Sequence, residues 1–251
     1  MQWIWFTIIL QPLYNILIVF YKYLGSDIGI AIIALTILIR MIFWPLQGKA
    51  LRSTREQQAI QPEIEKIKEK YKSNPQKQSQ EILTLFRTHK VSPLSGCLPV
   101  LIQFPILIGL YSIFVRGLKT ETFSWLYSFI KAPTSLNTYF FHWVDLAQPE
   151  KIFFPILAGL TQFILAWLTN IQMKQFQAKK KDPSKPDFTS MFSKQMLYIF
   201  PIMIVFISMK LPAALSLYWI ITNIFMIVQQ YLINKSNIGL PKTSVKVKSR
   251  S

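Results

Sequence analysis

Five apolar runs of membrane-spanning length leave this chain few folds to choose from. They are Ile28–Leu46, Leu94–Val115, Ile152–Ile171, Met196–Leu211 and Ala213–Ile233. Each has about 16–22 residues, near the roughly 20 that a helix needs to cross a hydrocarbon core. In lipid every backbone N–H and C=O must find its partner inside the protein, so each run is expected to be a helix. Hydrophobic residues make up 51% of the 251, and soluble domains of this size do not carry so many long runs. The expected fold class is an all-α polytopic membrane protein. The fourth run ends in Lys210-Leu211-Pro212 and is expected to turn directly into the fifth as a tight hairpin.

Charge placement sets the expected topology. Of 28 Lys and Arg, ten fall in 49–92, six in 173–194 and five in 234–251. Lys22, Arg116, Lys119, Lys131, Lys151 and Lys210 are scattered over the other faces. By the positive-inside rule the three basic segments are cytoplasmic, and 117–150 and the 210–212 turn lie outside. A net charge of +17 could suggest nucleic acid. The cytoplasmic bias accounts for most of it, and only the tail keeps a separate claim.

The resulting division is an outer interfacial helix over 1–25, a first span at 26–48 and a cytoplasmic helical hairpin at 49–92. A second span at 93–116, an extracytoplasmic segment at 117–150 and a third span at 151–172 follow. A cytoplasmic loop at 173–194, spans at 195–211 and 212–233, and a basic cytoplasmic tail at 234–251 complete it. In the first segment Thr7, Gln11, Asn15 and Lys22 fall within about 80° on a helical wheel, flanked by Tyr14 and Tyr21. This amphipathic pattern favours a helix lying in the outer interface over a sixth span. The segment lacks a basic leader and a small-residue cleavage site, so a removed signal peptide is not expected.

In 49–92, Ile60, Ile64, Ile67 and Tyr71 keep helical spacing over Lys49–Lys72. Ser73-Asn74-Pro75 is a turn signal, and Ile82, Leu83, Leu85 and Phe86 form a second stripe. Neither stripe makes a core alone, which argues for an antiparallel hairpin, a docking arm rather than a solvated linker. Lys179-Lys180-Lys181 and the proline-rich stretch after it read as a loop. The tail, with five basic residues and no acidic one, suits anionic lipid or ribosomal RNA equally.

Arg40 sits inside the first run, and no acidic residue lies in any of the five. A charge near the middle of a bilayer helix costs about 2.5–3.5 kcal/mol on insertion scales. A carboxylate, a water-filled cavity or a route to the headgroups usually offsets it, and the carboxylate is missing. Arg40 lies about 10 Å along a helix from Gln47, so snorkelling covers part of the distance. The other runs carry uncharged polar residues: Gln103 in the second, Thr161, Gln162, Thr169 and Asn170 in the third. The fifth has Thr222 and Asn223, then Gln229 and Gln230, two pairs at a spacing of seven that share helix faces. Interhelical hydrogen bonding explains such residues without a cavity. Together with Arg40 they favour a hydrated one. The fourth run is rich in Met and Phe, suited to varied partners or simply to lipid.

Cys97 is the single cysteine, and His89 and His142 lie far apart. No metal-ligand spacing, nucleophile elbow or phosphate-binding glycine loop is present. Neither a catalytic residue nor a cofactor nor a metal is expected.

Four stretches carry a family resemblance: GIAIIALTILIRMIFWPL, QPEIEKIKEKYK, SPLSGCLPVLIQFPILIGLY and FPIMIVFISMKLPAALSLYWIITNIFMIVQQ. The chain resembles the YidC/Oxa1/Alb3 family of membrane protein insertases from about Gly29 to Leu232. The segment Gly96-Cys97-Leu98-Pro99, with Gln103 and Pro105 behind it, is its most specific part. The resemblance implies a five-helix core, an outer amphipathic helix and a cytoplasmic hairpin. It also implies a hydrophilic groove open to cytoplasm and lipid and closed to the outside. The family's groove arginine falls on Arg40, and groove-lining positions fall on Gln103, Gln162 and Trp219. Implied partners are nascent membrane proteins and the lipid bilayer, with the ribosome, through the basic tail, and a Sec-type translocon as candidates. The chain looks like a minimal bacterial form of the plasma membrane, without the large outer domain or lipoprotein cysteine of some members. Two rival readings stay open: a small transporter or channel with Arg40 binding an anionic solute, and a scaffold subunit with no hydrated groove.

Overall fold

The computed structural model describes residues 2–92, 98–117, 120–176 and 188–235. Gly96 and Cys97, the lysine triplet 179–181 and the basic tail beyond Lys235 lie outside the described residues. The helices are α1 (Gln2–Trp5), α2 (Gln11–Tyr23), α3 (Ile28–Ile42), α4 (Trp44–Ala59), α5 (Gln61–Lys70), α6 (Pro75–Thr88), α7 (Leu98–Ser112), α8 (Phe153–Phe176), α9 (Phe188–Ser208) and α10 (Ala213–Lys235). A two-stranded antiparallel sheet, β1 (Tyr139–Phe140) and β2 (Val144–Asp145), pairs Tyr139 with Asp145 and Phe140 with Val144. The protein is mostly helical. Trp3–Tyr23, Phe153–Ile171 and Ala213–Ile233 are long and apolar enough to cross a membrane, and the bent pair α3–α4 makes a fourth candidate.

The apolar run Ile28–Leu46 is not one straight helix. It bends by 60° between α3 and α4, at Phe43. Pro45 stands in the first turn of α4. It has no N–H for the α3 ladder, and its ring crowds the carbonyl four residues back. Arg40 therefore sits in the last turn of α3, just before the bend. A second proline, Pro62, opens α5 and breaks the stretch 49–72 into two helices for the same reason. In the N-terminal segment a π-helical turn, Phe6–Leu10, separates α1 from α2, with Pro12 at the start of α2; a missing N–H is absorbed by a local change of helical pitch.

The core forms where α2, α3, α7, α10 and the start of α8 meet. Tyr14, Leu17 and Ile18 of α2, Ile28, Ala31, Ile32 and Leu35 of α3, and Ala214 and Tyr218 of α10 are fully enclosed. Helix α9 packs along α8 and touches α10 only sparingly. The short link 209–212 thus does not produce a tight α9–α10 hairpin. Gly159 explains the preference: a Cβ there would collide with the Val205 side chain and lie 3.2 Å from the Pro201 carbonyl oxygen. Small residues let membrane helices approach this closely.

Residues 120–152 cap one end of the bundle, where α3, α8 and α10 begin. Asp27 is the N-cap of α3, accepting from the N–H groups of Gly29 (2.8 Å) and Ile30 (3.1 Å). Its other oxygen accepts from Phe141 N–H at 2.8 Å, tying the β-hairpin to the helix. Gly29 is needed beneath it, because a Cβ there would overlap the Phe140 ring. The hairpin also holds α10, through Ala213 N–H to the Gln148 carbonyl (2.9 Å) and Ala214 N–H to the Leu146 carbonyl (3.0 Å). The polar side of α2 is spent on the same cap. Asn15 donates to the Trp125 carbonyl (3.0 Å) and accepts from Tyr127 N–H (2.8 Å). The Tyr21 hydroxyl accepts from Asn137 N–H (2.9 Å). Replacing Asp27 with Ala removes both the helix cap and the hairpin tie. An N-cap alone contributes about 1 kcal/mol, so limited proteolysis should cut first within 137–147 of this variant.

Glu150 caps α8, accepting from the N–H groups of Ile152 (2.9 Å), Phe153 (3.1 Å) and Phe154 (2.7 Å). Burial pushes its carboxyl up, and these bonds more than reverse that, so the net shift is downward. A depressed carboxylate contributes stability above its unfolded value, about 4.3, and loses it as pH falls through the lower folded value. Amide exchange at Ile152–Phe154 should therefore accelerate in acid. In Glu150→Gln it should be faster at neutral pH and free of that acid step.

Beyond α4, helices α5 and α6 fold against each other. Ile60, Ile64 and Val91 are buried, with Ile82, Leu85 and Phe86 packed on them. Asn74 caps α6 by accepting from Lys77 N–H at 3.0 Å, and His89 faces Glu63 at 3.5 Å. Leu83 is exposed, so one residue of the second stripe stays outside this small core.

Candidate functional site

Arg40 is brought inward by helical phase. Ile32, Leu35, Thr36, Ile39 and Arg40 form the buried face of α3, which packs on α10 and α2. Arg40 is only 4% exposed. One of its terminal nitrogens donates to Gln103 Oε1 of α7 at 2.6 Å and to the Thr222 hydroxyl of α10 at 3.3 Å. The Gln103 amide in turn donates to the Tyr218 hydroxyl. Tyr218 and Thr222 are four residues apart, so they share a face of α10. Three helices thus meet at one cation.

Each of these partners is neutral. The Arg40 Nε is buried without an acceptor, and no carboxylate pairs with the guanidinium among the described residues. Neutral acceptors from adjacent helices hold the charge. Buried charges are usually paired, so this cation keeps unused attraction for an anion.

The polar residues of α10 divide between two neighbours. Thr222 and Gln229 turn to the α3–α4 side, Gln229 donating to the Trp44 carbonyl at 3.1 Å. Asn223 and Gln230 turn to α8, donating to the hydroxyls of Thr161 (3.2 Å) and Thr169 (2.9 Å). The spacing of seven is therefore read by two different helices.

Of the four residues singled out by sequence, Arg40 and Gln103 are in direct contact. Trp219 is partly buried and packed on the core, next in sequence to Tyr218. Gln162 is half-buried on α8 and makes no hydrogen bond among the described residues. Tyr218 was not singled out, although its place one helical turn before Thr222 was a usable signal. Removing its hydroxyl in Tyr218→Phe leaves the Gln103 amide without an acceptor, at a cost of about 1–3 kcal/mol. The thermal midpoint of the purified chain should fall accordingly.

A sequence profile of the family described as 60Kd inner membrane protein matches residues 19–239. The chain belongs to that family. Its relatives are named as insertases. Membrane protein insertase YidC 1 of Halalkalibacterium halodurans is 36% identical over 249 residues, covering 98% of this chain and 84% of that one. Membrane protein insertase MisCA of Bacillus subtilis is 37% identical over 239 residues, with 93% and 80% covered. Membrane protein insertase YidC of Syntrophobacter fumaroxidans is 36% identical over 236 residues, but only 38% of its length is covered. Family membership and the apolar helices together make this a multi-pass membrane protein.

Proposed function

We propose that this chain is a membrane protein insertase, which moves hydrophobic segments of nascent proteins from the cytoplasm into the bilayer. Arg40, Gln103, Gln162 and Trp219 line its client groove, with Tyr218 and Thr222 as supports. The observation that carries the reading is a buried guanidinium held, among the described residues, by neutral groups, in a family whose relatives are named insertases.

The physical sequence is as follows. The α5–α6 arm, on the cytoplasmic side by the charge bias, meets a client with a short polar leading end. That end enters between α3, α7 and α10 and exchanges a carboxylate for the Gln103 oxygen on Arg40. At an effective dielectric constant near 20, opposite charges 4 Å apart attract by about 4 kcal/mol, against about 1 in water. Desolvation takes back part of this. The apolar segment then partitions into lipid. No nucleotide is needed, since partitioning and the membrane potential supply the free energy. One negative charge moved outward gains about 2.3 kcal/mol per 100 mV. The basic tail, cytoplasmic in this reading, contacts the ribosome, and a Sec-type channel is a candidate partner.

Purified chain in liposomes tests the proposal. A single-span client with an acidic N-terminus should acquire protease protection of its leading end only when the chain is present. Protection equal to that in empty liposomes sinks autonomous insertion. An anion flux in its place would favour the transporter reading of Arg40.

A further inference from the structure

The cap presents aromatic surface that none of the described residues covers. Phe141 is 67% exposed, Trp143 64% and Phe129 79%. Phe141 and His142 hold the left-handed turn of the hairpin, with φ of 47° and 59°. Side chains are rarely placed in that region without cause. A water-facing turn has no use for two large rings beside it.

The position of Trp143 identifies what covers them. Its ring packs edge-on against Phe153, with centroids 5.2 Å apart. Phe153 opens α8, whose outward residues Ile156, Leu160, Ile164, Trp167 and Ile171 are exposed at helical spacing. That stripe belongs to a segment long and apolar enough to cross a membrane, and it is the side left free for lipid. The hairpin tip continues the stripe beyond the end of the helix, where a bilayer has its headgroups. Aromatic rings favour that layer. Charge agrees: Lys131 and Lys151, in the segments before and after the hairpin, are exposed. The nearby carboxylates are occupied with backbone N–H groups, Asp27 with Phe141, Asp145 with Ala147 and Glu150 with the start of α8.

We propose that the β1–β2 tip is a lipid anchor, with Phe141 and Trp143 seated in the headgroup layer at the capped end of the bundle. The anchor fixes the depth at which α8 begins. It rests on membrane placement alone and not on the handling of clients.

The test uses the full chain with Cys97→Ser, reconstituted in phosphatidylcholine–phosphatidylglycerol vesicles. A fluorophore is attached at His142→Cys, which leaves both rings intact, or at the exposed Ser135→Cys as a control. Lipids carrying a nitroxide at the headgroup or high on the acyl chain should quench the label at 142 about two-fold more than that at 135. Adding Phe141→Ser and Trp143→Ser should abolish the difference. Independently, brominated lipid should quench wild-type tryptophan emission more than that of Trp143→Phe. Equal quenching at 142 and 135 overturns the anchor, as does quenching at 142 that ignores the double serine change. A label shielded from water but not quenched by lipid, with crosslinks between copies, would assign the surface to a second copy and also overturn it.

Discussion

Arg40→Ala should slow insertion of a client with an acidic leading end by about ten-fold or more, the equivalent of about 1.4 kcal/mol. That is a conservative share of the roughly 4 kcal/mol attraction left after desolvation. A client with a neutral leading end should lose far less, since it never pairs with the guanidinium. Arg40→Lys should keep part of the rate, because a point charge survives while the planar fork is lost. The measurement is protease-protected client per unit time, with both clients in the same vesicles. Equal losses for both would remove the electrostatic role and leave Arg40 as a structural tie among three helices. The two roles separate further by stability. Alanine leaves the Gln103 oxygen without its donor, yet it also relieves an uncompensated buried charge. The thermal midpoint should move little while insertion collapses.

The second large effect lies at the α8–α9 seam. Gly159→Ala in an ordinary helix gains up to about 1 kcal/mol from propensity. Here the added carbon meets Val205 and the Pro201 carbonyl, and overpacking costs about 1–3 kcal/mol. Backbone is involved, so the neighbour cannot simply rotate away, and the sign should be destabilising. Gly159→Leu should be worse and should release α9 from α8. Thermal unfolding in detergent measures both. Val205→Ala in the Gly159→Ala background should recover much of the loss, because the two side chains compete for one space. A higher midpoint for Gly159→Ala alone would show that the helices part more easily than their packing implies.

Much of the fold is written locally. Run length and hydropathy mark the segments that became α8 and α10, and Pro45 and Pro62 mark breaks between helices, whereas Pro105 and Pro201 lie inside α7 and α9. The 60° bend at Phe43 was available in Pro45, but an unbroken apolar run masks it. What is not local is rotation about each helix axis. Gln103 and Gln162 carry much the same signal, a glutamine inside an apolar run. Yet one bonds Arg40 and the other bonds nothing among the described residues. The choice depends on which way α7 and α8 face after packing. Tyr218 is hidden for a related reason: its place one turn before Thr222 gives the helix face, not the neighbour that its hydroxyl meets. The partners of Arg40 lie 63 and 182 residues away in the chain, a separation that residue patterns within one helix do not encode.

The divided polar faces of α10 have a mechanical consequence. This helix is bolted on two sides, to α3–α4 through Thr222 and Gln229 and to α8 through Asn223 and Gln230. Turning it would strip several buried hydrogen bonds at once. Among the described residues helix α7 reaches the Arg40 cluster through Gln103, and it carries Pro105 in its length and a π-helical turn at its end. Such irregularities are where helices flex. If the chain passes clients between α3, α7 and α10 as proposed, α10 is the doorpost and α7 the door. Crosslinks that pin α7 to α3 should then jam the passage, while crosslinks between α10 and α8 should leave it working.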